Sequence, residues 1–196
     1  APAAEEPEAA PYQAARPVCQ PLSPEDFLAP AHTKQVRQAL EEILAAEAPI
    51  SQALLLRRLL QAFGISRSGA RIQERVELLL KGMGLRETLQ GDSRFYWLPT
   101  QDPETYACYR PAGSEEDRRE AREIPAQEAA SALRRILAQQ VGLPKEDLLR
   151  LTAKAMGYPR MGTQVAAMAE SGLRWAMSRG QTYLDDRGYV QLRETE

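Results

Sequence analysis

Apolar side chains recur along this chain with the period of a helix, and they do so in the same order twice. Val36, Leu40, Ile43 and Leu44 form one stripe, which predicts a helix from about Thr33 to Ala46 with Thr33 as its N-cap and Pro49 beyond its end. Leu55, Leu56, Leu59, Leu60 and Phe63 form a second stripe, opened by Ser51 and closed by Gly64, the residue type that suits a left-handed helix end. The tight turn Ile65–Gly69 leads to a third helix, about Ala70 to Met83, with Ile72, Val76, Leu79, Leu80 and Met83 on one face. Two strand-like runs, Leu85–Leu89 and Arg94–Leu98, then flank Gln90-Gly91-Asp92-Ser93, a hairpin signal. The second half repeats this order. One helix covers about Ala126–Gln140, a second runs from Pro144 to Gly157, and a third follows Arg160-Met161-Gly162; Arg179–Leu184 and Gly188–Leu192 supply the hairpin.

The halves align with a constant shift of 93 and no gap. Leu55, Leu56 and Arg57 fall on Leu148, Leu149 and Arg150, Gly64 on Gly157, and Arg67 and Gly69 on Arg160 and Gly162. Downstream, Arg86, Asp92, Arg94 and Tyr96 fall on Arg179, Asp185, Arg187 and Tyr189. The chain therefore reads as two copies of one module, Val36–Leu98 and Ala129–Leu192. Three helices and a hairpin, with a short Gly-containing turn between the second and third helices, is the order of a winged helix-turn-helix. The expected fold is mainly α (α+β): two tandem winged helix-turn-helix-like repeats, each three helices plus a short β-hairpin wing. The expected division is a Pro/Ala-rich extended arm over 1–30 with its first part disordered, repeat 1 over 31–98, an acidic linker over 99–124, and repeat 2 over 125–192. A module of about 60 residues is marginal alone, so each copy should pack on the other or on the linker. Tyr12, Val18, Leu22, Phe27 and Leu28 could pin the arm to a module, and Tyr106 and Tyr109 the linker; the charge run Glu115–Glu123 reads as a solvated linker or a short helix. A start without Met suggests a fragment of something longer.

Net charge is −2, but it is unevenly spread. Residues 36–98 carry nine Lys and Arg against seven Asp and Glu, residues 129–192 nine against five, and residues 99–128 four against eight. Mildly basic modules in acidic surroundings suit a modest phosphate-binding surface, and equally ordinary solvated faces. Two cysteines and one histidine fall short of a Cys/His zinc site, and free thiols point to a reducing cytoplasm. No run of 18 apolar residues spans a membrane. Phosphate-loop, Gly-x-Ser-x-Gly and His-Glu-x-x-His motifs are absent, His32 sits at the edge of the first helix, and Asp185-Asp186 reads as a turn; no enzyme activity, cofactor or small-molecule substrate is expected.

The arm Pro11-Tyr12 with Leu22–Leu28, the step Glu47-Ala-Pro-Ile50 and the Arg-x-Gly turn of each copy resemble a bacterial family, domain of unknown function 3320. The run Gly64-Ile-Ser-Arg-Ser-Gly-Ala-Arg-Ile72 is its most specific part here. The resemblance implies a C-terminal module of a very large protein that carries superfamily 1 helicase and Vsr-like endonuclease domains upstream, some of them in anti-phage defence. It supplies no catalytic residues. Copy two reads Arg160-Met161-Gly162-Thr163-Gln164-Val165, without the first hydroxyl and the second Arg of the family turn.

If the modules bind nucleic acid, Arg67, Ser68 and the free amides opening the third helix would form an anion site, with Arg71 and Arg75 beside it and Arg86 and Arg94 on the wing. Copy two offers Arg160, Thr163, Gln164, Arg179 and Arg187. Against this stand Glu74 and Glu77 on the outward face of the third helix of copy one, and few residues suited to base edges. The sequence thus leaves two readings: a phosphate-backbone-binding accessory to a helicase–nuclease, without base specificity, or a protein–protein or interdomain module.

Overall fold

The structure, a computed structural model, describes residues 7–193. In chain order the elements are strand β1 (Glu8–Ala9), helices α1 (Pro24–Leu28) and α2 (Thr33–Glu47), strand β2 (Ile50–Ser51), helices α3 (Gln52–Ala62) and α4 (Ala70–Lys81), and strands β3 (Arg86–Gln90), β4 (Ser93–Trp97) and β5 (Cys108–Tyr109). Then come α5 (Ala126–Ala138), β6 (Leu143–Pro144), α6 (Lys145–Ala155), α7 (Thr163–Ser178), β7 (Thr182–Leu184) and β8 (Tyr189–Leu192). The class is α+β, with seven α-helices and small sheets among the described residues. Two compact units result. Gln13–Gln101 form one; the other joins Asp102 onward to the N-terminal residues up to Tyr12.

In the unit Gln13–Gln101, the stripes of α2, α3 and α4 meet in one core with Val36, Leu40, Leu55, Leu59, Ile72 and Val76 at its centre. Ser51 caps α3 by accepting the Leu54 N–H at 3.2 Å, and Gly64 ends that helix at φ 71° while Ile65 N–H reaches back to the Leu60 carbonyl. The sheet has the order β2-β4-β3, all antiparallel. Residues 13–28 depart from a wholly extended arm. Ser23 caps Pro24–Leu28 into a helix, and Phe27 enters the core edge-on to Phe63, with ring centroids 5.6 Å apart. Val18, expected to pin the arm, is fully exposed.

The other unit repeats the element order, with the sheet β6-β8-β7. Its core falls into two clusters: Leu133, Leu148, Leu173 and Val190 with Ala130, Ala169 and Ala176, and Ile124, Met156 and Met168 with Ala121, Ala129 and Ala132. The shift of 93 maps β2 onto β6 and α3 onto α6 end for end, and it then fails. Helix α4 ends at Lys81, but α7 runs on to Ser178, and the hairpin that follows is shorter. Ile50 faces Tyr96 in one sheet and Leu143 faces Val190 in the other, so Tyr96 corresponds to Val190 and not to Tyr189. A gapless alignment cannot register a longer helix that a shorter turn nearly cancels.

The start of the arm and the linker are built into this unit. β1 pairs in parallel with β5, and Tyr12 is buried. Of the first ten or so residues, expected to be disordered, residues 1–6 lie outside the described residues, and Glu8–Ala9 form a strand instead, held by its pairing with Cys108–Tyr109. The charge run is also partly interior, because Arg119 and Glu123 are buried. Glu120 and Glu123 close a capping box around the 3-10 turn Ala121–Glu123.

Candidate functional site

The turn before α4 is the most exposed stretch of sequence-predicted site residues. Arg67, Ser68, Gly69, Ala70 and Arg71 are all exposed, and Gly69 gives the helix no side-chain cap, so its first amides face outward. Neither Arg67 nor Arg71 makes an ion pair among the described residues. Ser68 Oγ accepts from Gln73 Nε2 at 3.3 Å. Arg75 does not join them. Its Nη2 donates to the Ala29 carbonyl at 3.1 Å and to Thr33 Oγ1 at 2.8 Å, tying α4 to the start of α2.

On the hairpin, Arg86 is exposed, while Arg94 is half-buried against Glu87 at 3.4 Å. Hydrogen bonding with Tyr96, then the Glu87 carboxylate, raises the pKa of Arg94 above its usual value. Its charge is thus already answered within the sheet. The outward face of α4 also carries Glu74 and Leu78, the latter 69% exposed.

In the second unit Arg160, Thr163 and Gln164 are exposed at the start of α7, where Gly162 likewise provides no side-chain cap. Arg179 lies over the Trp175 ring at 4.4 Å and bonds Glu104 at 2.7 Å. Arg187 sits in the hairpin turn. Its N–H and that of Tyr189 donate to Asp185 Oδ1, and Gln191 Nε2 donates to Oδ2; these bonds hold the Asp185 carboxyl below its usual range. Among the described residues no group of three or more His, Cys, Asp or Glu could hold a metal ion. No described helix is long and apolar enough to cross a membrane.

Two features of this unit escaped sequence reasoning. The first is a buried ionic cluster. Glu128, fully buried in the first turn of α5, receives the Arg110 N–H and Nη2 at 2.9 Å each, and both terminal nitrogens of Arg119. The Arg119 guanidinium also bonds the Arg110 carbonyl at 2.8 Å and stacks on the Tyr12 ring at 4.2 Å. Tyr158 Oη donates to the Arg119 carbonyl at 2.6 Å. Burial pushes the Glu128 carboxyl up, but Arg110 and Arg119 outweigh it and hold it well below the usual carboxylate range. With no bulk solvent reaching these groups, the cluster welds β1, the linker and α5 together and offers no ligand site. The second feature is an open groove of about 940 Å³ between α6, the turn Gly157–Met161 and the segment Ala112–Arg118. Neither left a periodic signal, because both depend on linker residues brought against a helix.

Residues 25–74 match the family model described as Protein of unknown function (DUF3320). That span runs from α1 into α4 and takes in the Arg67–Arg71 turn, fifty of 196 residues. No curated protein matches the chain, and no solved structure does.

Proposed function

We propose that each unit carries a winged helix-turn-helix module, and that the first engages the phosphate backbone of nucleic acid as a non-catalytic accessory to a larger DNA-processing protein. The order helix–strand–helix–helix–strand–strand, with the first strand paired to the last in both units, supports the modules. The observation that carries the binding role is the pair Arg67 and Arg71. Both are exposed and without an internal ion pair beside the uncapped start of α4. Backbone amides and mobile cations there would receive phosphate oxygens without reading base edges. The family resemblance makes the helicase and endonuclease domains of a parent chain the natural partners, in a cytoplasmic setting. A protein-docking role is favoured for the second wing, where Tyr183, Leu184 and Tyr189 stand exposed.

Anisotropy of a labelled DNA duplex titrated with the 196-residue chain across a salt series tests this. Affinity should fall steeply with salt, and Arg67→Ala/Arg71→Ala should flatten the log–log slope by about two. Absence of binding at low salt, or an unchanged slope in the variant, sinks the reading.

A further inference from the structure

Where the groove opens beside α6, the first unit carries an apolar side chain over the end of its second helix, and the comparison indicates what the groove would take. In both units an upstream segment passes over the glycine that ends the second helix. Pro21 Cβ lies 3.6 Å from where a Cβ on Gly64 would stand, and Ala112 N lies 3.5 Å from that of Gly157. In the first unit the next residue is Leu22. Its N–H donates to the Phe63 carbonyl at 3.0 Å, and its side chain packs on the core. In the second unit the residues at this point are Gly113 and Ser114, which bring almost no side chain, and the space stays open.

What remains is an apolar floor with a cationic rim. Leu151, Ala153, Tyr158 and Met161 supply the floor. Arg118, Arg150 and Lys154 stand around it against the single carboxylate of Glu115. Arg118 pairs with Glu115 and Arg150 with Asp147, at 3.1 and 3.2 Å, both in solvent-exposed bridges; Lys154 has no ion pair among the described residues. Exposed bridges of this kind contribute little and exchange readily for a ligand's carboxylates.

We propose that this groove binds an acidic peptide segment of a partner protein, with a bulky apolar side chain seated on Leu151 and Tyr158 and its carboxylates on Arg150 and Lys154. The first unit carries such an apolar side chain in cis: Leu22 lies over the end of α3, and the acidic residues Glu25 and Asp26 follow it at the start of α1. The second unit would take one in trans. This inference is independent of the phosphate site, because none of its residues lies in the first unit.

The probe is a fluorescein-labelled peptide of residues 20–28, titrated with the 196-residue chain. Saturable binding is expected, weakened by roughly tenfold or more in Arg150→Glu/Lys154→Glu. A peptide carrying Glu25→Lys and Asp26→Lys should not bind, and Arg67→Ala/Arg71→Ala should leave the affinity unchanged. Both reversed residues are solvent-exposed, and circular dichroism checks that the variant folds. No saturation up to millimolar protein overturns the proposal, as does equal binding by the reversed variant. An oligonucleotide that binds through Arg150 and Lys154 where the peptide fails would assign the groove to nucleic acid instead.

Discussion

The two units share one element order and solve the packing of their first and third helices in opposite ways. In the first, α1 packs on both α2 and α4 and Phe27 fills the interior, with Val36 and Leu79 as large residues on the facing helices. In the second, the positions of Val36 and Leu79 are Ala129 and Gly172. Helices α5 and α7 approach so closely that a Cβ on Gly172 would lie 2.7 Å from the Ala129 carbonyl carbon and Cβ. The segment upstream of α5 carries no large wedge and packs on α7 as the 3-10 turn, with Ala121 and Ile124 buried. It is also fastened by charge, through Arg110, Arg119 and Glu128. The same backbone plan thus tolerates an apolar wedge or an ionic clamp, according to the size of two residues. Beside α6 the groove is open, because Gly113 and Ser114 stand where the first unit has Leu22.

The comparison is broken most severely at the clamp. Glu128→Gln removes the carboxylate charge that the buried Arg110 and Arg119 guanidiniums share and should cost about 3–5 kcal/mol. Each unit has one tryptophan, Trp97 or Trp175, so the loss can be assigned by fluorescence of Trp97→Phe and Trp175→Phe backgrounds. The Trp175 signal should melt early and the Trp97 signal should hold; equal shifts would contradict a clamp local to the second unit. The same carboxylate predicts acid sensitivity. Its folded pKa is depressed, so the unfolded chain takes up the proton first. The stabilisation is complete above the ordinary value of 4.5 and is lost as pH falls below it towards the folded value. A Trp175 transition on acid titration that is unchanged in Glu128→Gln would refute that assignment.

The close helix contact comes next. Gly172→Ala must push backbone apart and should destabilise the second unit by about 1–3 kcal/mol, read from hydrogen-exchange protection of α5 and α7 amides. Unaltered protection would mean the helices can separate without loss.

The smallest effect sharpens the division between structure and ligand within the first unit. Arg75→Ala removes the bonds to Ala29 and Thr33 and should cost about 1–2 kcal/mol while leaving the salt slope of DNA binding unchanged. Arg71→Ala, at an exposed position, should do the reverse, with stability within about 0.5 kcal/mol of the parent. A changed slope in Arg75→Ala would return that arginine to the binding surface.

Much of the fold was legible because it is periodic. The stripes through Val36, Leu55 and Ile72 located α2, α3 and α4, and the shift of 93 carried them onto α5, α6 and α7. Glycine at the ends of α3 and α6 was readable because its positive φ is a local backbone requirement. The register of the second hairpin was not readable, since the longer α7 and the shorter hairpin offset each other. Of the candidate site, Arg67 and Arg71 are exposed. Arg75 has the same charge and nearly the same spacing, and only its tertiary neighbours show that it is committed to Ala29 and Thr33.

What the sequence determined by itself is therefore everything set within a turn or two of chain: which stretches are helical, where they stop, and that the plan occurs twice. What the tertiary structure decided is the fate of residues with no periodic neighbours. It placed Phe27 inside, buried Arg119 out of a run that reads as solvated, joined Tyr12 to a unit that begins ninety residues later, and left a groove beside Tyr158. The physical reason is that a stripe encodes its own burial through spacing, whereas a charge is stabilised or stranded only by the partner that folding brings to it.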